Sequence, residues 1–262
     1  MPLAIEDYAL IGDGHTAALV GRDGSIDWLC LPRFDSPSTF GALLGTEHHG
    51  RWLVAPAEPG ASASRSYLDD TFLLVTRWVT PTGVVEVTEA MLPEAADRSV
   101  VRRVRGVSGT VTMREELAIR FDYAGALPWM RQAPRHGGNA VVGVAGPDAV
   151  IVRGPALRAS NHFHEAVFDV AEGEEVDIVL TWFASHLAPP PAIDVSAALA
   201  DTARWWRDWA AATTLPAPYE QEVRRSLLVL RALTHQDTGG IVAAATTSLP
   251  EQFGGSRNWD YR

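Results

Sequence analysis

Lysine is absent: all 22 basic residues are arginines. Chemistry that needs a lysine amine, such as Schiff-base formation or a P-loop phosphate clamp, is therefore excluded. Cysteine is nearly absent. With Cys30 alone, no intramolecular disulfide or multi-cysteine metal site can form. Its neighbours Trp28, Leu29 and Leu31 predict a buried small hydrophobe rather than a reactive thiol. Long apolar runs are missing as well. No window approaches the roughly eighteen apolar residues of a membrane helix, and the start MPLAIEDYAL has neither the basic head nor the apolar core of a signal peptide. The expectation is a cytoplasmic protein with no membrane partner. A basic excess is lacking too: the net charge of -10 disfavours nucleic acid and anionic lipid, both of which reward a basic stripe.

What is present is a globular composition, 47% hydrophobic and 21% charged over 262 residues, enough for one large domain or one domain and part of a second. Residues 15–31, HTAALV-GRDG-SIDWLCL, are two apolar runs around an Asp-Gly turn and predict a β-hairpin. Further strands are expected at Thr71–Thr80, Val84–Met91, along Val111, Met113, Leu117 and Ile119, at Val150–Arg153 and at Asn161–Val170. Another runs along Val176, Ile178, Leu180 and Trp182. Short strands without intervening amphipathic helices predict a mainly β fold, an antiparallel β-sandwich. The pattern changes at Leu187-Ala-Pro-Pro-Pro-Ala192, a stiff linker. A helix capped by Asp194 or Ser196 then runs to about Ala212, with Leu199, Trp206 and Trp209 on an apolar stripe. A second begins near Pro218 and carries Val223, Leu227, Leu230 and Leu233.

Several possible sites have bland explanations. His162 and His164 share a strand face without a third ligand at suitable spacing, so surface histidines outweigh a metal enzyme. His48 and His49 sit in a polar loop. Glu86, Glu89, Glu115 and Glu116 alternate with apolar residues and are expected on an outward face. Gly12-Asp13-Gly14 lacks the G-x-G-x-x-G pattern of a phosphate loop. Trp205, Trp206 and Trp209 suit helix packing better than sugar stacking. Two stretches resist this: residues 27–38, DWLCLPRFDSPS, and residues 245–262, ATTSLPEQFGGSRNWDYR. Both interleave rings, charges and small residues as polyol recognition requires.

At these stretches the chain resembles glycoside hydrolase family 15, the bacterial glucoamylase and trehalase-like group. IEDYALIGDGHTAALVGRDGSIDWLCLPRFDSPSTFGALLG is similar to the opening of its trehalase-like N-terminal domain, and TGGIVAAATTSLPEQFGGSRNWDYR to the approach into its catalytic barrel. The resemblance implies a supersandwich over residues 1–192, a linker helix over 193–214, and the start of an (α/α)6 barrel over 215–262. It implies an inverting α-glucoside hydrolase acting on trehalose, maltooligosaccharides or a related α-glucan; no cofactor and no metal-ligating residue is assigned, and a phosphate or magnesium requirement and a homo-oligomer are left open. It places Tyr261 beneath the scissile sugar ring, Trp259 and Asp260 beside the same pocket, and Arg33 and Asp35 at its rim. The family's two catalytic glutamates lie beyond Arg262, so the domain is expected to be interrupted here and residues 1–262 alone inactive. A rival from another class is a non-catalytic carbohydrate-binding or interaction module.

Overall fold

A computed structural model describes residues 2–136, 138–215 and 218–249. Among the described residues fifteen strands form one hydrogen-bonded network, with every pairing antiparallel. The network folds into two layers. The first holds β1 (Tyr8–Gly12), β2 (Ala17–Gly21), β3 (Ser25–Cys30), β4 (Ser38–Phe40) and β5 (Arg51–Pro56). The second holds β6 (Ser62–Tyr67), β7 (Leu74–Thr80) and β8 (Gly83–Met91). The 20-residue β9 (Ser99–Ala118) belongs to both. Its first half pairs with β8 and its second half with β5. The crossing point is built around glycine: a Cβ on Gly106 would lie 1.9 Å from the Ala171 carbonyl oxygen, and Gly109 takes φ +64. Strands β10 (Trp129–Gln132), β11 (Ala140–Ala145) and β12 (Asp148–Arg153) extend the second layer. Strands β13 (Arg158–Ser160) and β14 (Phe163–Ala171) close the first, and β15 (Glu175–Ala184) joins β12 to β9.

Alternating side chains from both layers, among them Ile26, Trp52, Val54, Val104, Met113 and Leu180, fill the core. Two of the glutamates expected outside are inside. Glu89 and Glu115 are each 1% exposed, whereas Glu86 and Glu116 are half-buried and paired with arginines. The reason is a buried guanidinium. Arg102 donates to the Trp52 and Gly24 carbonyls, sits 5.1 Å from the Trp52 ring centroid, and approaches Glu89 at 2.7 Å. Glu115 accepts the Trp52 indole N–H at 2.9 Å. Burial pushes the Glu115 carboxyl up to about 7, against the pull of that hydrogen bond and of Arg102. Burial also raises Glu89, opposed by Arg102.

Helix α1 (Val195–Ala211) starts where the linker ends, and Asp194 caps it by accepting from the Ala197 N–H. Its apolar stripe docks on the second layer, with Trp206 fully buried against Phe72 and edge-on to Trp205. Helix α2 (Glu220–Ala232) starts later than expected: Tyr219, at φ 76, interrupts the helical backbone, so Pro218 precedes the cap. Its packing face differs too. Leu228 and Ala232 are buried against α1 and the sandwich, while Leu230 is 49% exposed and Val223 and Leu227 are half-buried. Helix α2 is therefore apolar on two sides and uses one of them here.

Candidate functional site

Four stretches meet at one end of β3: the β1–β2 loop, the loop after β3, the loop before β10, and the return from α2 along residues 233–249. The first is folded by Asp13, whose Oδ1 accepts from the backbone N–H of both His15 and Thr16 at 2.8 Å. Thr16 then donates from its hydroxyl to the Cys30 carbonyl at 2.5 Å. Asp13 is completely buried, which raises its carboxyl, opposed by those two backbone donors. Gly14 takes φ +78 and presents its carbonyl to the Gln236 N–H at 2.6 Å, so the loop and the return are stitched by backbone. Beside them the His15 and His235 rings meet edge-on, 5.5 Å between centroids, and His15 Nε2 lies 3.4 Å from Asp237 Oδ1. Among the described residues, Asp13 Oδ2, His15 Nδ1 and His235 Nε2 are buried polar atoms without a hydrogen-bond partner.

A second set of contacts fixes the end of the return. The Trp28 indole N–H donates to the Ala245 carbonyl at 2.8 Å. Tyr123 donates from its hydroxyl to the Ser248 carbonyl at 3.3 Å, and Cys30 Sγ lies 3.4 Å from Ser248 Oγ. Ala17, Trp28, Cys30, Phe34, Leu233 and Ala245 form the apolar cluster underneath. Cys30 is 1% exposed, and burial pushes its thiol up to about 11, so it packs as the small hydrophobe its neighbours predict.

Arg33 and Asp35 lie on the exposed loop after β3 and bond each other, Nε to Oδ1 at 2.9 Å and Nη2 to Oδ2 at 3.1 Å. The same loop buries Phe34 and ties its N–H to the His15 carbonyl at 2.9 Å. Trp259, Asp260 and Tyr261 lie outside the described residues. His162 sits in the tight β13–β14 turn at φ 67, and half-buried His164 is held below the usual imidazole range by burial and by Arg120. Among the described residues no group of three His, Cys, Asp or Glu is placed to hold a metal ion. His49 Nδ1 accepts from the Thr46 N–H, and exposed His48 rests edge-on against Phe163. His15, Tyr123 and His235 escape a reading of the sequence, and Asp13 and Ser248 fall within stretches it names without their contacts being legible. The one local signal is the G-D-G-H turn, whose aspartate can fold its own loop.

Two antiparallel layers sharing one long strand, with a pair of helices and a return segment packed on them, define an antiparallel β-sandwich domain. The trehalase-like N-terminal family model matches residues 1–184, and the chain belongs to that family. Its sequence is 32% identical over 287 residues to the trehalase of Mycolicibacterium smegmatis, covering 98% of this chain and 42% of that protein. It is 33% identical to the trehalase of Mycobacterium tuberculosis, over 98% of this chain and 41% of that one. For the trehalase of Thermoplasma acidophilum the identity is 30%, over 93% and 42%. The chain thus spans about two fifths of these relatives' length. A bacterial glucoamylase crystallised with acarbose superposes with a TM-score of 0.65 at 10% identity, over 90% of this chain and 42% of that one. The likeness is one of fold, and the fold is the expected antiparallel sandwich. No described helix is long and apolar enough to cross a membrane.

Proposed function

We propose that this chain is the N-terminal part of an inverting α-glucoside hydrolase that releases glucose, with trehalose as the first substrate to test and maltooligosaccharides or a related α-glucan as the alternative. The observation that carries the proposal is that the likeness to trehalases runs past residue 184 and covers 98% of the chain, the return segment included. That same segment is the one seated on the sandwich through Trp28, Cys30 and Tyr123. In this reading residues 1–192 form the sandwich domain, 193–214 the linker helix, and 215–262 the opening of a helical catalytic barrel. The second apolar side of α2 suits such a barrel, because a paired helix can cover it.

Chemically, inversion needs an acid on the departing oxygen and a base on water, their carboxyls roughly 6.5 to 9.5 Å apart across the ring. Residues outside this chain supply both. The chain's own contribution is to shape the glucosyl pocket, with Tyr261 under the ring, Trp259 and Asp260 beside it, and the exposed Arg33–Asp35 pair at the rim. Removing one general acid or base costs about 10² to 10⁴ in rate. The isolated 262-residue polypeptide is therefore expected to be inactive, while the product of the uninterrupted reading frame releases glucose from one of these substrates. An inactive uninterrupted product over a panel of trehalose, maltose and maltotriose contradicts the proposal, and so does activity in the isolated chain.

A further inference from the structure

We propose that Tyr123, Trp28 and Cys30 are positioning residues of the glucoside site: the sandwich uses them to set where the 245–248 turn lies as it enters the pocket. The inference rests on the reading above, in which that turn leads into the catalytic barrel. It starts from backbone geometry. Asp122, Tyr123 and Ala124 are three consecutive non-glycine residues in the left-handed region, at φ 53, 54 and 69. Each such residue costs on the order of 1 kcal/mol, and a run of them survives only when its surroundings determine it. Here the Tyr123 N–H donates to Ser38 Oγ at 3.1 Å, Gly125 closes back onto the Asp122 carbonyl at 2.8 Å, and Phe121 and Ala126 pair through both backbone bonds. The outcome of that arrangement is the direction of one side chain. The Tyr123 ring stands 6.3 Å from Trp28, and its hydroxyl reaches Ser248.

Trp28 and Cys30 act on the same turn. Trp28 is fully buried, and its single polar atom finds its acceptor 217 residues away, at Ala245. Two carbonyls three residues apart and the Ser248 hydroxyl are thus gripped by three sandwich side chains. The turn between them is closed by its own bonds, Thr247 N–H to Ala244 and Leu249 N–H to Thr246. Apolar packing alone would let this segment slide; directional bonds at both ends set its place. A shift of about 1 Å in a pocket wall can cost as much as 10²-fold in rate.

The test uses the product of the uninterrupted reading frame. Tyr123→Phe keeps the ring and its packing and removes the hydroxyl. The expected result is a fall of about tenfold in kcat, KM within about twofold, and an unchanged melting temperature. Cys30→Ser keeps a group that bonds Ser248 and is expected to retain the rate, while Cys30→Val lowers it. In an enzyme active as wild type, an unchanged kcat in Tyr123→Phe overturns the proposal. So does a fall in kcat that tracks a fall in melting temperature. A wild-type product that hydrolyses no α-glucoside overturns instead the functional reading on which it rests.

Discussion

The sandwich is covered on its two outer sides in different ways. On the second layer, Ala140, Val142, Ala149, Ile151 and Phe183 are buried on the face away from the core. Further along, Leu92, Val101 and Val179 meet Val195, and Trp206 lies on Phe72 at 5.2 Å. At Leu92, Val101, Val179 and Phe72 the covering by the linker helix is apolar, with Arg103 to Ser196 as a polar tie, and Arg153 bonds the Pro190 carbonyl. On the first layer, the end of β3 is covered by the return from α2, and there the sandwich side chains bond the backbone they touch. Area buried against the linker stabilises without prescribing a unique position. Hydrogen bonds to named carbonyls prescribe one. The first covering therefore concerns stability and the second placement.

Substitutions can break that division. Trp206→Ala removes the largest side chain of the apolar covering and should cost about 3 to 5 kcal/mol in a denaturant melt. It should leave the turnover of the still-folded enzyme unchanged, and a loss of turnover at temperatures where it stays folded would erase the distinction. Glu115→Gln probes the core beneath both coverings. In the folded chain this carboxyl keeps its proton up to about 7, whereas its ordinary value is 4.5. The unfolded chain therefore releases the proton first as pH rises. The associated stability is full below about pH 4.5 and is lost through pH 7, by on the order of 3 kcal/mol. Glutamine still accepts from Trp52 and should flatten the difference in unfolding free energy between about pH 5 and pH 8; an unchanged slope would place the titration elsewhere. Asp194→Ala, at the start of α1, should cost about 1 kcal/mol through the lost cap, read from the melting temperature. Smallest of all, Arg33→Ala or Asp35→Ala breaks an exposed pair and should move stability by less than about 0.5 kcal/mol. A change in KM for the α-glucoside in either variant would then report contact with substrate.

How far the sequence leads depends on how local each signal is. The β2–β3 hairpin was legible because two apolar runs flank Asp23-Gly24, and α1 because Leu199, Trp206 and a cap recur at helical spacing. Strand β6, SASRSY, has little apolar content, and its half-buried and exposed positions alternate among small polar residues. Alternation along β8 and β9 points outward for Glu89 and Glu115 and does not reveal their burial. Arg102, the cross-strand partner of Glu89 on β9, and Trp52 on β5 make burial tolerable. The Arg33–Asp35 pair is two residues apart and readable. The grip on residues 245–248 is not, since Trp28 and Ala245 are 217 positions apart. The aim of Tyr123, moreover, comes from a left-handed run with no glycine at its three positions to announce it.

Backbone hydrogen exchange along residues 244–249 tests most directly whether the sandwich places this segment. The account predicts slow exchange at the Thr247 and Leu249 amides in the wild-type chain, rising about tenfold or more in Trp28→Phe, which keeps an aromatic ring but has no N–H for Ala245. Unprotected amides in the wild type, or identical exchange in the two proteins, would contradict it.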